Sequence, residues 1–92
     1  MSAENWSVYL ILCENGALYC GISNRPQERF VAHLAGKGAK YMRLNKPTAM
    51  RIVSDDLSKS EALKREIAIK KLTVGKKREL WEAAAGNISP AQ

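Results

Sequence analysis

The sequence contains few cysteines and no long hydrophobic run. Its two cysteines, Cys13 and Cys20, are too few for a disulfide framework. The apolar segment from Val8 to Leu12 is far too short to cross a bilayer, and the polar start from Met1 to Asn5 does not resemble a signal peptide. These absences argue against a disulfide-stapled secreted domain and against a membrane protein. They predict a reduced protein in the cytoplasm.

Acidic residues are also in the minority. Nine aspartates and glutamates are outnumbered by 15 lysines and arginines, which gives 92 residues a formal net charge of +6. A basic surface attracts phosphate backbones through counterion release, although it also suits a soluble protein with no particular partner. This length predicts one domain, residues 1–92 with a core from about 6 to 85. So small a core leaves no room for an enclosed cofactor cavity, so we expect an open active site and a polymeric substrate.

Two β-rich segments near the start of the chain predict a hairpin. They run from Ser7 to Cys13 and from Ala17 to Ile22. A two-residue turn would pair Cys13 with Leu18. A three-residue loop with a left-handed glycine would pair Cys13 with Ala17 instead.

Side-chain sorting favours the three-residue loop. In that register one face of the hairpin is wholly apolar and carries Val8, Leu10, Leu12, Leu18, Cys20 and Ile22. The other face carries Tyr9 and Tyr19, which lie diagonally across the two strands and within reach of one another. Because the two cysteines then lie on opposite faces, we expect no disulfide between them.

A helix is predicted after the hairpin. The residues that bound it are Asn24 or Arg25 as the N-cap, Pro26 in the first turn and Gly36 at the end. Phe30, Val31 and Leu34 form the predicted apolar stripe. Arg29 and His33 are one turn apart, and we expect them beside this stripe rather than inside it.

The second half of the chain predicts one more strand and two more helices. The strand covers Thr48 to Ser54. Ser58 begins a capping-box pattern for a helix that continues to about Leu72, and Thr73 can cap a last helix that ends at Ala85. The predicted order is β-β-α-β-α-α. It describes an α+β fold in which a three-stranded, antiparallel-type sheet is flanked by helices.

Each candidate functional residue has an ordinary structural explanation when it is taken alone. Cross-strand tyrosine pairs stabilise many sheets. Arg29 and His33 have a spacing that is common on solvated helix faces, and Glu66 can simply form an i,i+4 ion pair with Lys70.

Together, however, these residues resemble the core of the GIY-YIG nuclease superfamily. The matching elements are Ser7-Val8-Tyr9 and Tyr19-Cys20-Gly21 on adjacent strands, then Ser23, Arg29 and His33, and Glu66 on a later helix. The segment from Gly36 to Arg43 is similar to the small stand-alone bacterial, UPF0213-like subgroup. Ser7, Val8 and Cys20 depart from the residues in the family name, and Ile22 stands where some members have a lysine.

The resemblance implies a metal-dependent endonuclease that hydrolyses phosphodiester bonds in DNA, selects structure rather than sequence, and serves repair or recombination. Glu66 would hold one Mg²⁺ or Mn²⁺, and Arg29 would contact the phosphate. Tyr9 would act as general base if nearby cations lower its pKa, with Tyr19 orienting it and His33 relaying a proton or holding the tyrosine.

The loop after the first helix is expected to bind nucleic acid. Lys37, Lys40 and Arg43 would follow the backbone, and Tyr41 would either stack on a base or pack within the loop. The alternative to a nuclease is a catalytically weak or inactive nucleic-acid-binding module, and a protein-interaction adaptor is a further reading. The sequence leaves open the choice between DNA and RNA and the oligomeric state.

Overall fold

The computed structural model describes residues 5–36, 45–84 and 86. Its elements are β1 (Trp6–Cys13), β2 (Leu18–Ser23), α1 (Pro26–Leu34), β3 (Pro47–Leu57), α2 (Lys59–Lys70) and α3 (Val74–Ala83). This order confirms the predicted α+β fold with a three-stranded antiparallel sheet. Within the described ranges, no helix is both long and apolar enough to cross a membrane.

The sheet has β1 at its centre, in the order β2-β1-β3, with both pairings antiparallel. The hairpin adopts the predicted three-residue loop: the Cys13 backbone N–H donates to the Ala17 carbonyl oxygen at 2.9 Å, and Leu12 lies opposite Leu18. Gly16 has φ +88°, the left-handed conformation that the loop requires and that glycine adopts without strain. Because the order is β2-β1-β3, β2 is an edge strand of the sheet.

Side chains from the two faces of the sheet form two separate cores. One buried cluster consists of Val8, Leu10, Cys20, Leu57, Ala62, Ile69 and Trp81, with Trp6 packed against it. The other consists of Tyr9, Ile11, Cys13, Phe30 and Met50, with Tyr19 packed against it. The predicted sorting of the hairpin is thus confirmed, and Cys13 and Cys20 lie on opposite faces without forming a disulfide. Helices α2 and α3 cover the first face, and α1 covers the second.

The strand β3 is longer than the predicted segment of Thr48 to Ser54. It begins one residue earlier, at Pro47, and ends three residues later, at Leu57. Asp56 has φ +56° at a place where the β1–β3 register shifts. This irregularity returns Leu57 to the core opposite Trp6.

The caps of α2 and α3 match the sequence prediction. The Ser58 hydroxyl accepts from the Glu61 backbone N–H at 3.1 Å, and the Glu61 carboxylate accepts from the Ser58 backbone N–H at 2.9 Å. The Thr73 hydroxyl accepts from the Lys76 backbone N–H at 3.2 Å. Both helices end two residues earlier than predicted, at Lys70 and Ala83. Helix ends are set by local hydrogen bonds that composition alone does not fix.

The packing of α1 differs from the prediction. The residues that face the sheet are Phe30 and His33, whereas Val31 and Leu34 are each 45% exposed. The prediction that His33 lies beside the buried stripe was wrong, since its side chain is 1% exposed. The physical reason is the surface beneath it, where two tyrosines can contact an imidazole. Gly36 follows the helix with φ +79°, as predicted.

Candidate active site

Tyr9 and Gly21 face each other across the β1–β2 ladder. Tyr9 is 2% exposed, and its ring lies directly on the backbone of β2. A Cβ atom at position 21 would lie 2.5 Å from the Tyr9 Oη and 2.7 Å from its Cζ. Only glycine leaves room for the tyrosine ring there, so the glycine and the tyrosine are parts of one packing unit.

His33 joins the two tyrosines from the opposite side. Its ring centroid lies 6.4 Å from that of Tyr9 and 6.0 Å from that of Tyr19, in edge-to-face arrangements. The Tyr9 hydroxyl and His33 Nε2 are 3.5 Å apart, at the long limit of a hydrogen bond. Helix α1 therefore delivers an imidazole to the sheet face on which the hairpin register places both tyrosines.

The guanidinium of Arg29 acts on the Tyr9 hydroxyl through a hydrogen bond and through its charge, and both effects lower the pKa of Tyr9 against the larger effect of burial. Which of Tyr9 Oη and His33 Nε2 donates to the other depends on the tautomer of His33. His33 Nδ1 is buried and has no hydrogen-bond partner among the described residues.

Burial sets the charge state of both rings. It lowers the pKa of His33 from its ordinary value of 6.5, and the charge of Arg29 lowers that pKa further. Burial also raises the pKa of Tyr9 to about 12, although Arg29 acts in the opposite direction. The predicted condition for Tyr9 as general base, a pKa lowered by neighbouring cations, is therefore not met in the free protein. Both groups are neutral at pH 7.

Glu66 and Lys70 lie at the open edge of the sheet. The Lys70 Nζ is 3.3 Å from the Glu66 Oε2, one helical turn apart on α2. The Glu66 side chain is 17% exposed and that of Lys70 is 50% exposed. Lys70 Nζ is also 5.9 Å from the centre of the Tyr19 ring. Since Tyr19 is on the α1 face of the sheet and α2 covers the other, Lys70 reaches across the β2 edge and connects the two sides.

The start of α1 forms a shallow polar depression beside Arg29. Ser23, Asn24 and the exposed Arg29 are among the residues that line it. Arg25 is the N-cap of α1, one of the two predicted residues, and no side-chain hydrogen bond caps the helix. The Ser23 hydroxyl accepts from the Arg25 backbone N–H at 2.9 Å in a local turn that leads into the helix. Exposed hydrogen-bond donors are thus grouped where a phosphate could approach Arg29.

Comparison with known families identifies this arrangement. The family described as "GIY-YIG catalytic domain" matches residues 5–79, which span all three strands, both tyrosines and Glu66. The chain belongs to the GIY-YIG family. The family consists of nuclease catalytic domains, so nucleic acid is the substrate class that membership indicates.

Relatives of this GIY-YIG domain match over most of their length. A UPF0213 protein of Neisseria gonorrhoeae is 66% identical over 84 residues, which are 91% of this chain and 92% of that protein. A UPF0213 protein of Pseudomonas aeruginosa is 49% identical over 82% of this chain and 72% of its own. A UPF0213 protein of Xanthomonas axonopodis pv. citri is 37% identical over 87 residues, which are 95% of this chain and 85% of that protein. No solved structure matches the chain.

The GIY-YIG domain brings together four of the five residues for which a catalytic role was predicted from the sequence. Tyr9, Tyr19, Arg29 and His33 form one contacting group, and Lys70 connects it to the fifth, Glu66. The predicted nucleic-acid-binding residues Lys37, Lys40, Tyr41 and Arg43 lie outside the described residues. Their role stays a prediction.

Sequence reasoning treated Lys70 only as an ordinary ion-pair partner for Glu66. The i,i+4 spacing of Glu66 and Lys70 in the sequence correctly predicted that their side chains are close together. The position of Lys70 against Tyr19 needed the tertiary structure, because those residues are on different elements and 51 positions apart.

The donor set at Glu66 is compatible with a hard divalent cation. Among the described residues, no group of three or more His, Cys, Asp or Glu side chains could hold an ion together. Glu66 would therefore share a cation with at most one other such side chain of the described residues. Mg²⁺ accepts such sites, because it keeps several waters and takes further oxygen ligands from substrate phosphates. The partial exposure of Glu66 leaves room for them.

Proposed function

We propose that this GIY-YIG domain is a divalent-metal-dependent endonuclease that hydrolyses phosphodiester bonds in DNA. It selects the structure of the substrate rather than its sequence, and its role is in repair or recombination in the cytoplasm. We base this on one observation above all: Tyr9, Tyr19 and His33 are in contact, with Arg29 and the Lys70–Glu66 pair on either side. Such a group gives phosphodiester hydrolysis a phosphate clamp, a carboxylate for a cation and a proton acceptor.

Arg29 and Glu66 handle the charge of the phosphate. Arg29 is exposed, and its forked donors suit two oxygens of one phosphate. Glu66 is the carboxylate that would hold one Mg²⁺ or Mn²⁺, which polarises a phosphate oxygen and neutralises developing negative charge when it is bound. The neighbouring Tyr9 hydroxyl, with which Arg29 interacts, would help to orient the guanidinium.

The two tyrosines have unequal access to water. Tyr9 is buried, has its pKa raised to about 12 and lies against Gly21, so it suits a neutral residue that orients its neighbours. Tyr19 is partly exposed and has the ammonium of Lys70 beside its ring. We therefore assign proton acceptance from the attacking water to Tyr19, which reverses the roles inferred from the sequence.

Sequence selectivity should be weak. The chain is small, and its net charge of +6 favours contacts with the phosphate backbone over contacts with base edges. Branched, flapped and nicked DNA expose backbone in ways that a shallow, open site can use. These are the substrates to test first.

The deciding experiment incubates the protein with labelled branched, nicked and single-stranded DNA, and with RNA, in Mg²⁺ or Mn²⁺ and then with chelator. The variants are Glu66→Gln and Arg29→Gln. The matched control is Glu79→Gln, which removes one exposed carboxylate from α3. We expect metal-dependent cleavage by the wild type and the control, and a loss of about a hundredfold or more in both site variants.

Two results would redirect the assignment. Cleavage that survives Glu66→Gln would show that the metal site lies elsewhere. Binding without cleavage on every substrate would support the second candidate, a nucleic-acid-binding module without activity. Two observations favour this candidate: among the described residues Glu66 belongs to no group of three or more metal-ligating side chains, and its charge is already paired with that of Lys70.

A further inference from the structure

Lys70 pairs with Glu66 on α2 and also lies near the ring of Tyr19 on β2. An i,i+4 ion pair within a helix explains the first position but not the second. We propose that Lys70 is a phosphate-binding residue that is held by Glu66 in the free protein. It moves to an oxygen of the substrate phosphate when Glu66 holds a divalent cation. This inference rests on the proposed nuclease function and adds a residue and a mode of substrate binding to it.

The first support is the position of the ammonium group. It lies 3.3 Å from Glu66 and 5.9 Å from the ring centre of Tyr19, so it sits between the proposed metal carboxylate and the proposed proton acceptor. A phosphate that contacts Glu66 through a cation and Tyr19 through a water must pass within reach of this ammonium. The lysine chain, with four rotatable bonds and half of its surface exposed, has the freedom to follow it.

The second support is charge balance. In the free protein, Lys70 neutralises a carboxylate that is mostly shielded from solvent. A divalent cation on Glu66 would remove the attraction and place like charges close together, which drives the ammonium away from the carboxylate. The nearest favourable partner for Lys70 is then the negative phosphate. The Glu66–Lys70 pair is thus neutral in the free protein, and a divalent cation on Glu66 would give it a net positive charge for the phosphate to bind.

The third support is that other cationic residues assist at the same edge. Lys77 of α3 is partly buried, and its charge acts with that of Lys70 to lower the pKa of the Cys20 thiol on β2, which burial and the charge of Glu66 raise. Lys77 of α3 therefore adds a second positive charge to that of Lys70 near Cys20 on β2. Lys71, by contrast, is the exposed C-cap residue of α2, one position along the chain from Lys70.

The test compares Lys70→Met with Lys71→Met, which removes the same charge from the adjacent position. Binding of Mn²⁺ to the protein without nucleic acid is followed by electron paramagnetic resonance, and cleavage is followed on the best DNA substrate. In Lys70→Met we expect Mn²⁺ to bind about two- to fivefold more tightly, because a competing cation is gone. We also expect kcat to fall by about ten- to a hundredfold, because a phosphate contact is lost.

The other variants complete the design. Lys71→Met should leave both Mn²⁺ affinity and kcat close to the wild-type values, and Lys70→Arg, which keeps the charge, should restore much of the cleavage. Thermal melts check that each variant is folded. Unchanged Mn²⁺ affinity in Lys70→Met, or a loss of cleavage no greater than in Lys71→Met, would overturn the role of Lys70 alone. A wild type that neither binds Mn²⁺ nor cleaves would overturn the nuclease function and this inference together.

Discussion

Single residues carry most of the functional signal in this domain, and Gly21 shows why. Position 21 requires glycine, because the Tyr9 ring occupies the space that any side chain would need. The tripeptide Tyr19-Cys20-Gly21 therefore combines three separate roles. Tyr19 lies in the site, Cys20 belongs to the core on the other face, and Gly21 makes room for Tyr9. Alternation along one strand is sufficient to produce this division.

Replacement of Gly21 by alanine should lower the free energy of unfolding by about 1–3 kcal/mol, because the added methyl group overlaps a buried ring. It should also displace the Tyr9 hydroxyl from Arg29 and His33 and so reduce cleavage. The matched control is Gly75→Ala in α3, where the nearest atom is Thr73 Oγ1 at 4.0 Å. There, alanine should stabilise by roughly 0.5–1 kcal/mol. Urea unfolding measures both, and equal effects at the two positions would contradict the steric explanation.

At the scale of elements, capping was predicted well and packing less well. The Ser58 and Thr73 caps need only residues within a few positions of each other, so a local pattern is enough to identify them. The buried face of α1 depends instead on the sheet beneath it. Val31 and Leu34 are more apolar than His33, yet His33 is buried because the sheet face offers it two tyrosines. Local hydrophobicity could not have identified this choice.

The docking of α1 should be sensitive to acid. The pKa of His33 is lowered in the folded chain, so the unfolded chain binds a proton first as the pH falls. The stability that neutral His33 contributes is therefore complete above pH 6.5 and is lost progressively below it. Thermal melts between pH 5 and 8 should show this loss, and His33→Gln should remove most of it.

A direct measurement is simple because His33 is the sole histidine of the sequence. Its ring resonances in an NMR titration report one pKa without assignment ambiguity. A value below 6.5 is expected. A value above 6.5 would contradict the neutral, buried imidazole and the hydrogen-bond arrangement with Tyr9.

For the whole molecule, the sheet order β2-β1-β3 has a functional consequence. It leaves β2 at the edge, so that groups from α1 on one face and α2 on the other meet across a single strand. The net charge of the whole chain also favours the approach of nucleic acid to this edge. Its formal net charge of +6 attracts nucleic acid to a site that has little depth of its own.

Nucleic-acid binding should therefore depend strongly on salt. With about six phosphate contacts, the logarithm of the binding constant should fall with the logarithm of salt concentration with a slope of about −5. Replacing Lys37 or Lys40 with glutamine should make this slope shallower by roughly one each, if the predicted loop follows the backbone. Fluorescence anisotropy of labelled DNA measures binding at each salt concentration, with chelator present to prevent cleavage.

The control for this experiment is Lys59→Gln. Lys59 lies over the Trp6 ring at the opposite end of α2 from Lys70. Its replacement should leave the slope unchanged. If the slope is near zero for the wild type, backbone contacts do not dominate binding.

The sequence by itself determined the features that depend on neighbouring residues and on alternation. These are the hairpin register, the two sorted sheet faces, the helix caps, and the motif Tyr9, Tyr19, Arg29, His33 and Glu66 that indicated the family. Local hydrogen bonds and the alternation of side chains along a strand depend only on residues that are close in the sequence, so they can be predicted from it.

Tertiary structure alone decided which charges and rings meet. It buried His33, kept Tyr9 neutral by desolvation, and carried Lys70 across the β2 edge to Tyr19. Each of these outcomes depends on contacts between residues far apart in the chain. Burial and electrostatics act through distance in space, which no local pattern of residues specifies.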